Sequence, residues 1–262
     1  MTSLNRVRKE SSFLSRRVLQ QNIRRKILLN VTAYGFIGMI IILLVISLGL
    51  RMTSFNSLRI TLKTTGLDLL YTLVRVTALA LLAWSSAVIG GWLMAKGKLI
   101  RELTLPAVNF IRHISPFAWF PFAVIWFGLG EFPVAFILFV TLFFPALIAV
   151  REIFADIRQE YEDEAQVCGA DIFQLFFYIE LPLILVSLLN LLRILWGLGW
   201  TVIIAAEMLG TATGLGYRLL DFRYLLFYEE MIVYLILMGI VGVLVDHLLR
   251  KLTERCRETI SA

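Results

Sequence analysis

Six long apolar runs, separated by short charged or glycine-rich stretches, set the pattern of this chain. They cover about residues 27–50, 71–95, 105–130, 132–150, 183–209 and 231–249. A helix rises about 1.5 Å per residue, so roughly 20 apolar residues cross the ~30 Å hydrocarbon core of a bilayer. The pattern predicts an all-α polytopic membrane protein with six transmembrane helices. The fifth run is 27 residues long and is expected to tilt or to project beyond the bilayer.

The interruptions say where the chain turns. Residues 51–70, with Arg51, Arg59, Lys63 and Asp68, read as an external loop or a helix on the outer surface. In the second run, Gly90-Gly91 and the small residues Ala80, Ala83 and Ala87 would let another helix approach closely. The third run is broken by Arg112-His113, Pro116 and Pro121, and its prolines predict a bend. Residues 210–230, rich in glycine and aromatics, form an external segment. The most polar interruption is 151–180, which holds eight of the nineteen acidic residues. Within it, residues 157–168 predict a helix with Tyr161, Ala165 and Cys168 on one face. Gly169 can end that helix in the left-handed conformation. A second short helix over 171–179 then leads to Pro182, placed where a missing N–H matters little. The product is a helix-turn-helix knuckle in water, suited to a soluble partner.

Composition agrees with this pattern. With 59% hydrophobic and 17% charged residues and a mean hydropathy of +0.83, the 262 residues form one transmembrane domain without a large soluble one. The net charge of +6 does not call for nucleic acid, because the basic residues lie beside apolar runs, as topology requires. Seventeen of the 25 Lys and Arg fall in the two ends and in the loops at 96–101 and 151–180, against six in the segments on the other side. Both termini and the acidic loop are therefore expected to be cytoplasmic. The resulting organisation is a basic N-terminal segment 1–26, a transmembrane domain 27–250 and a cytoplasmic tail 251–262. Segment 1–26 reads either as a short interfacial helix on membrane lipid or as a partly disordered tail. The first apolar run, about 23 residues long, reads as a span rather than a cleaved signal peptide.

Catalytic chemistry is not indicated. Cys168 and Cys256 match no metal or redox spacing, and His113 and His247 are isolated. Gly91…Gly97-Lys98-Leu99 has the wrong glycine spacing for a phosphate loop, and Leu99 stands where Ser or Thr is needed. The chain is expected to carry no catalytic residue, no metal site and no cofactor of its own. What stands out instead are polar groups inside the spans, which are costly unless paired or facing water. Arg193, near the middle of the fifth run beside Trp196 and Trp200, either attracts an anionic solute or forms an internal ion pair. Glu207 lies nearer the outer mouth, Arg112 and His113 nearer the inner face. Trp119 belongs to an aromatic stripe that reads as packing or as an interfacial belt. Arg193, Trp200, Glu207, Arg112 and Trp119 are the candidate solute-pathway residues. A secondary transporter would need more protonatable groups at mid-span, and an intramembrane enzyme would need a paired nucleophile and base.

Asp163-Glu164-Ala165, three residues, Gly169, nine residues and then Ile179-x-Leu181-Pro182 resembles the EAA loop of binding-protein-dependent ABC importer permeases. Anchored on Gly169, Asp163 stands for the glutamate and Glu164 for the first alanine. The run from Pro116 through Trp119, Pro121 and Trp126 to Gly130-Glu131 is similar to the third-span segment of the nitrate/sulfonate/taurine/bicarbonate subfamily. Leu192-Arg193, Gly199-Trp200, Ala206-Glu207-Met208-Leu209 and Gly214-Leu215-Gly216 are similar to its fifth span and following loop. The likeness covers about residues 70–250. It implies a type I ABC importer permease-like fold with a cytoplasmic coupling helix, in the bacterial cytoplasmic (inner) membrane. Two copies of the permease would pair, each docking its loop into one of two ATPase subunits that bind ATP and Mg, while an extracytoplasmic binding protein delivers solute. Tyr161, Asp163, Glu164, Ala165, Gly169, Ala170, Asp171, Leu181 and Pro182 would make the coupling contact. The implied solute is a small oxyanion such as nitrate, bicarbonate, sulfonate or taurine, with an aromatic or vitamin-precursor solute as the alternative.

Overall fold

The computed structural model describes residues 62–157 and 171–261, together with Val167 and Gly169. All of them belong to one compact unit that begins at Arg59. The expected first span, segment 1–26 and residues 158–166 of the acidic loop lie outside the described residues.

Among the described residues every regular element is helical. In order they are α1 (Leu62–Lys96), α2 (Lys98–Arg112), a 3₁₀ turn (Pro116–Trp119), α3 (Phe120–Phe127), α4 (Glu131–Ala155), α5 (Ile172–Leu175), a π turn (Phe176–Glu180), α6 (Leu181–Gly210), α7 (Leu215–Tyr224) and α8 (Tyr228–Ser261). Four stretches are long and apolar enough to cross a membrane: Thr64–Lys96, Glu131–Ala155, Phe176–Gly210 and Tyr228–Glu258. The pair Lys98–Arg112 and Pro116–Phe127 makes a fifth only as a broken span, bent by 94°.

The break has a local cause. A residue before proline is pushed out of the helical region by the pyrrolidine ring, and Ser115 accordingly sits at φ −56°, ψ 134°. Pro116 then opens the 3₁₀ turn, and Pro121 occupies the first turn of α3, where no N–H is needed. Of the two prolines expected to bend this span, Pro116 is the one at the break.

Two boundaries differ from the hydropathy pattern. The second span begins at Thr64 rather than near residue 71, because the polar groups of its first turns find partners in the fold: Asp68 with Arg218, and Thr65 with Tyr234. The fifth span begins at Phe176, ahead of Pro182. A proline ring collides with the carbonyl four residues back in a regular helix. The π turn relieves this by letting the Leu181 N–H reach the Phe176 carbonyl.

The core is built from matched stripes. Val76, Ala80, Ala83 and Ala87 of α1 are fully buried at helical spacing, as are Leu138, Leu142, Ala146 and Val150 along α4. Small residues on α1 let α4 come close. A Cβ on Gly91 would lie 2.6 Å from Val150 Cγ1, so this position has no room for a side chain. α6 completes the core with Leu188, Leu195 and Ile203. Large apolar side chains such as Val74, Leu82 and Ile89 cover the outside of α1, as a lipid-facing surface requires.

Candidate functional site

Two buried carboxylates, Glu207 near the end of α6 and Glu180 in the π turn just before it, fasten the two ends of this span to α1. Both are 0% exposed, which for a charged group demands compensation. Glu207 receives Arg75 Nη1 at 2.6 Å and the backbone N–H of Gly216 at 2.9 Å, and the Thr72 hydroxyl lies 2.9 Å from its Oε1. The same Arg75 bonds Glu131 at the start of α4 through both Nε and Nη2, and donates to Thr213 O at 2.9 Å and Oγ1 at 2.6 Å. One guanidinium thus ties α1, α4, α6 and the loop to α7. The loop has to be glycine here: Gly214 has φ +106°, and a Cβ on Gly216 would lie 2.1 Å from the Ile204 carbonyl oxygen. Beside it, Arg218 of α7 donates to the buried Asp68 at 3.0 Å. Burial works against the Arg218 charge, but the bond to Asp68 together with the fields of Asp68, Tyr234 and Asp221 outweighs it and holds the guanidinium above its ordinary range.

At the other end of α1, Lys96 Nζ lies 2.5 Å from Glu180 Oε1, and Trp92 Nε1 donates to Oε2 at 2.9 Å. Arg75 and Lys96 are 21 residues apart on one helix, a distance of about 30 Å. Glu180 is also the last residue of the π turn. The preceding Phe176 packs edge-on to Trp92 at 5.2 Å and stacks on Phe154 at 6.0 Å. The polar loop therefore re-enters the bundle through a short segment gripped by α1 and α4. Of the proposed coupling residues, Gly169 has φ +80°, as a left-handed helix end requires, Asp171 is exposed, and Leu181 and Pro182 begin α6. Tyr161, Asp163, Glu164, Ala165 and Ala170 lie outside the described residues.

The candidate pathway residues do not converge on one place. Glu207 belongs to the clamp just described. Trp200 is buried, stacked on Trp196 at 5.3 Å, and donates to the Met238 carbonyl at 3.3 Å. Arg193 forms a two-bond pair with Asp246 of α8, at 2.6 and 2.7 Å, so its charge is matched by a partly exposed carboxylate on the neighbouring helix. Arg193→Leu is expected to lower the thermal unfolding midpoint, and adding Asp246→Leu to restore much of it, since no uncompensated charge then remains. A double variant no more stable than the single one would refute the pairing.

Arg112 and Trp119, by contrast, share a cavity of about 210 Å³ at the break between α2 and the 3₁₀ turn. Thr141 and Pro145 of α4 and Leu198 of α6 also line it. Among the described residues Arg112 has no carboxylate partner, and Trp119 Nε1 is a buried donor with no acceptor. Hydropathy had marked Arg112 and Trp119 separately. It missed Arg75, Glu131, Lys96, Glu180 and Asp246 as partners, although each is a charge at or inside the end of an apolar run.

Compared with known proteins, residues 86–258 match the family described as binding-protein-dependent transport system inner membrane component. A putative ABC transporter permease protein of Methanocaldococcus jannaschii is 31% identical over 182 residues, 69% of this chain and 68% of its own length. The nitrate import permease protein of Synechocystis is 32% identical, covering 62% of this chain and 60% of that one. The taurine transport system permease protein of Escherichia coli is 28% identical, over 63% and 60% respectively. Among solved structures, an inward-facing MetNI methionine ABC transporter superposes with a TM-score of 0.58 at 19% identity, over 75% of this chain and 99% of that one. This last likeness concerns the fold.

Proposed function

Since the chain belongs to the family of binding-protein-dependent transport system inner membrane components, we propose that it carries a small oxyanion inward across the membrane. It is a multi-pass ABC transporter permease of the inner membrane with a type I fold, and it works with ATPase subunits and a binding protein. It has no ATPase site of its own; ATP is hydrolysed on the separate subunits, which bind ATP and Mg. Beyond the family, the reading is that two copies of this chain pair over two ATPases, with both termini and the 151–180 loop cytoplasmic. Support for the solute comes from relatives named for nitrate and for taurine, both of which present oxygen atoms bearing negative charge.

The observation that carries the mechanism is the exit of the polar loop. Ile179, Glu180, Leu181 and Pro182 run without a gap into α6, and Lys96 and Trp92 hold that exit against α1. A helix docked in an ATPase groove would therefore push on α6 and α1 together. In this reading Tyr161, Asp163, Glu164, Ala165, Gly169, Ala170 and Asp171 make the docking contact, and Leu181 and Pro182 pass its motion on.

Reversing the charge at Asp163 and Glu164 to Lys should abolish solute-stimulated ATP hydrolysis in proteoliposomes while the permease remains inserted. Normal stimulation in that variant would remove the docking assignment. Uptake of labelled nitrate and taurine by the wild-type complex tests the solute; uptake of neither would end the oxyanion reading.

A further inference from the structure

We infer that Arg151, near the inner end of α4, is a positioning residue for the exit of the polar loop and stands as a second cation for Glu180. In this structure the Glu180 carboxylate is held by α1; when the exit moves, the carboxylate closes onto Arg151 and ties the exit to α4. The inference rests on the reading that this exit carries the motion of the ATPases. Its first ground is the state of the donor. Arg151 is partly buried, and its Nε is shut away from water without an acceptor. Among the described residues its side chain forms no ion pair. Arg112, Arg223 and Lys251 also have no carboxylate partner there, but they are exposed and water can serve them. A buried donor without an acceptor costs free energy. Solvent has no path to this Nε, so the acceptor that relieves it has to come from the protein.

The second ground is the place of the acceptor. At this end of the bundle Glu152, Asp156 and Asp171 are exposed, whereas Glu180 is fully buried. α4 and the segment leading into α6 run in opposite directions here, and the stack of Phe154 on Phe176 at 6.0 Å sets their register. Arg151 precedes Phe154 by three residues and Glu180 follows Phe176 by four, so each lies about one turn farther into the bundle on the stacked face. α1 gives the same level. The Arg151 backbone N is 3.0 Å from where a Cβ on Gly91 would sit, and the next residue, Trp92, donates to Glu180 Oε2 at 2.9 Å. Glu180 also has room for another donor. Lys96 Nζ meets Oε1 as an ion pair at 2.5 Å without hydrogen-bond alignment, and a carboxylate offers about four lone-pair sites. The two groups are level but unbonded, so a short movement of the exit against α4 completes the pair. Lys96 alone would leave the exit following α1 in both states; Arg151 gives the second state its own anchor.

The test is a double-variant cycle of Arg151→Gln and Glu180→Gln on the intact transporter, permease with ATPase subunits and binding protein. Thermal midpoints are measured without nucleotide and after trapping with ATP, Mg and orthovanadate, retained labelled nucleotide marking the trapped state. Without nucleotide, Arg151→Gln should leave the midpoint unchanged or raise it, because no bond is lost. In the trapped complex it should lower the midpoint when Glu180 is present and not in Glu180→Gln, and Arg151→Lys should restore it. The orthovanadate concentration for half-maximal trapping should rise about tenfold in Arg151→Gln, the scale of one hydrogen bond to a charged group. An equal fall in both states would make Arg151 merely structural. An equal fall in the trapped complex with and without Glu180 would assign it to another acceptor, such as an acidic residue of the loop. Either result, or a trapped complex that Arg151→Gln leaves unchanged, overturns the inference. Normal stimulation after charge reversal at Asp163 and Glu164, with the cycle as expected, would end the docking reading and leave the pair standing. Abolished stimulation there, with no coupling between Arg151 and Glu180 in the cycle, would end only the pair.

Discussion

Glu207→Leu is expected to lower the stability of the permease by about 3–5 kcal/mol, the usual scale for removing one partner of a buried ion pair. The carboxylate is 0% exposed and accepts from Arg75, Gly216 and Thr72; without it the Gly216 N–H loses its acceptor, while Thr72 keeps the Asp68 carbonyl. Arg75 would keep Glu131 and Thr213, but the first turn of α7 would lose the bond from the Gly216 N–H to α6. Glu207→Gln should fall between the two proteins, because an amide oxygen still accepts from Gly216 while the compensating charge is gone. Thermal unfolding of the detergent-solubilised protein measures the effect. A midpoint unchanged in Glu207→Leu would mean that the outer clamp contributes nothing to the fold.

Lys96→Met should uncouple the permease from its ATPases more than it destabilises it. The change removes the cation that faces the fully buried Glu180 and leaves it the bond from Trp92. Glu180 lies between the polar loop and the first turn of α6, so the loop's motion would no longer be shared with α1. Coupling free energies between sites typically amount to about 1–3 kcal/mol. Stimulation of ATP hydrolysis by loaded binding protein should therefore fall about tenfold in Lys96→Met and survive in Lys96→Arg. The discriminating comparison is between stimulated and basal hydrolysis in one preparation. Full stimulation in Lys96→Met would rule out the inner clamp as the route of transmission.

Much of the fold was legible because bilayer thickness and hydropathy act on contiguous residues. The apolar runs at 71–95, 132–150, 183–209 and 231–249 each became a membrane-length helix, and the small residues around Gly91 mark the α1–α4 contact as expected. Helix ends were less legible where a polar group finds a distant partner. Asp68 reads as a loop residue until Arg218, 150 positions away, is brought beside it. Leu181-Pro182 reads as a span start until the π turn lets the helix begin at Phe176.

The candidate site divides in the same way. The Gly169 and Ile179-x-Leu181-Pro182 spacing is a local signature, visible in the chain alone and sufficient with the flanking spans to indicate the family. Hydropathy could mark Arg193 as an unusual charge in a span but could not choose between solute and Asp246, 53 residues away. It could not place Arg112 and Trp119 in one cavity either, because the break at Ser115-Pro116 has to turn the chain by 94° first.

The sequence by itself determined that this is a helical membrane protein that resembles ABC importer permeases, since span length and motif spacing are properties of neighbouring residues. Only the tertiary structure decided which charges neutralise one another and which donors stay free. Pairing in a low-dielectric interior depends on distances of a few ångströms between residues far apart in the chain.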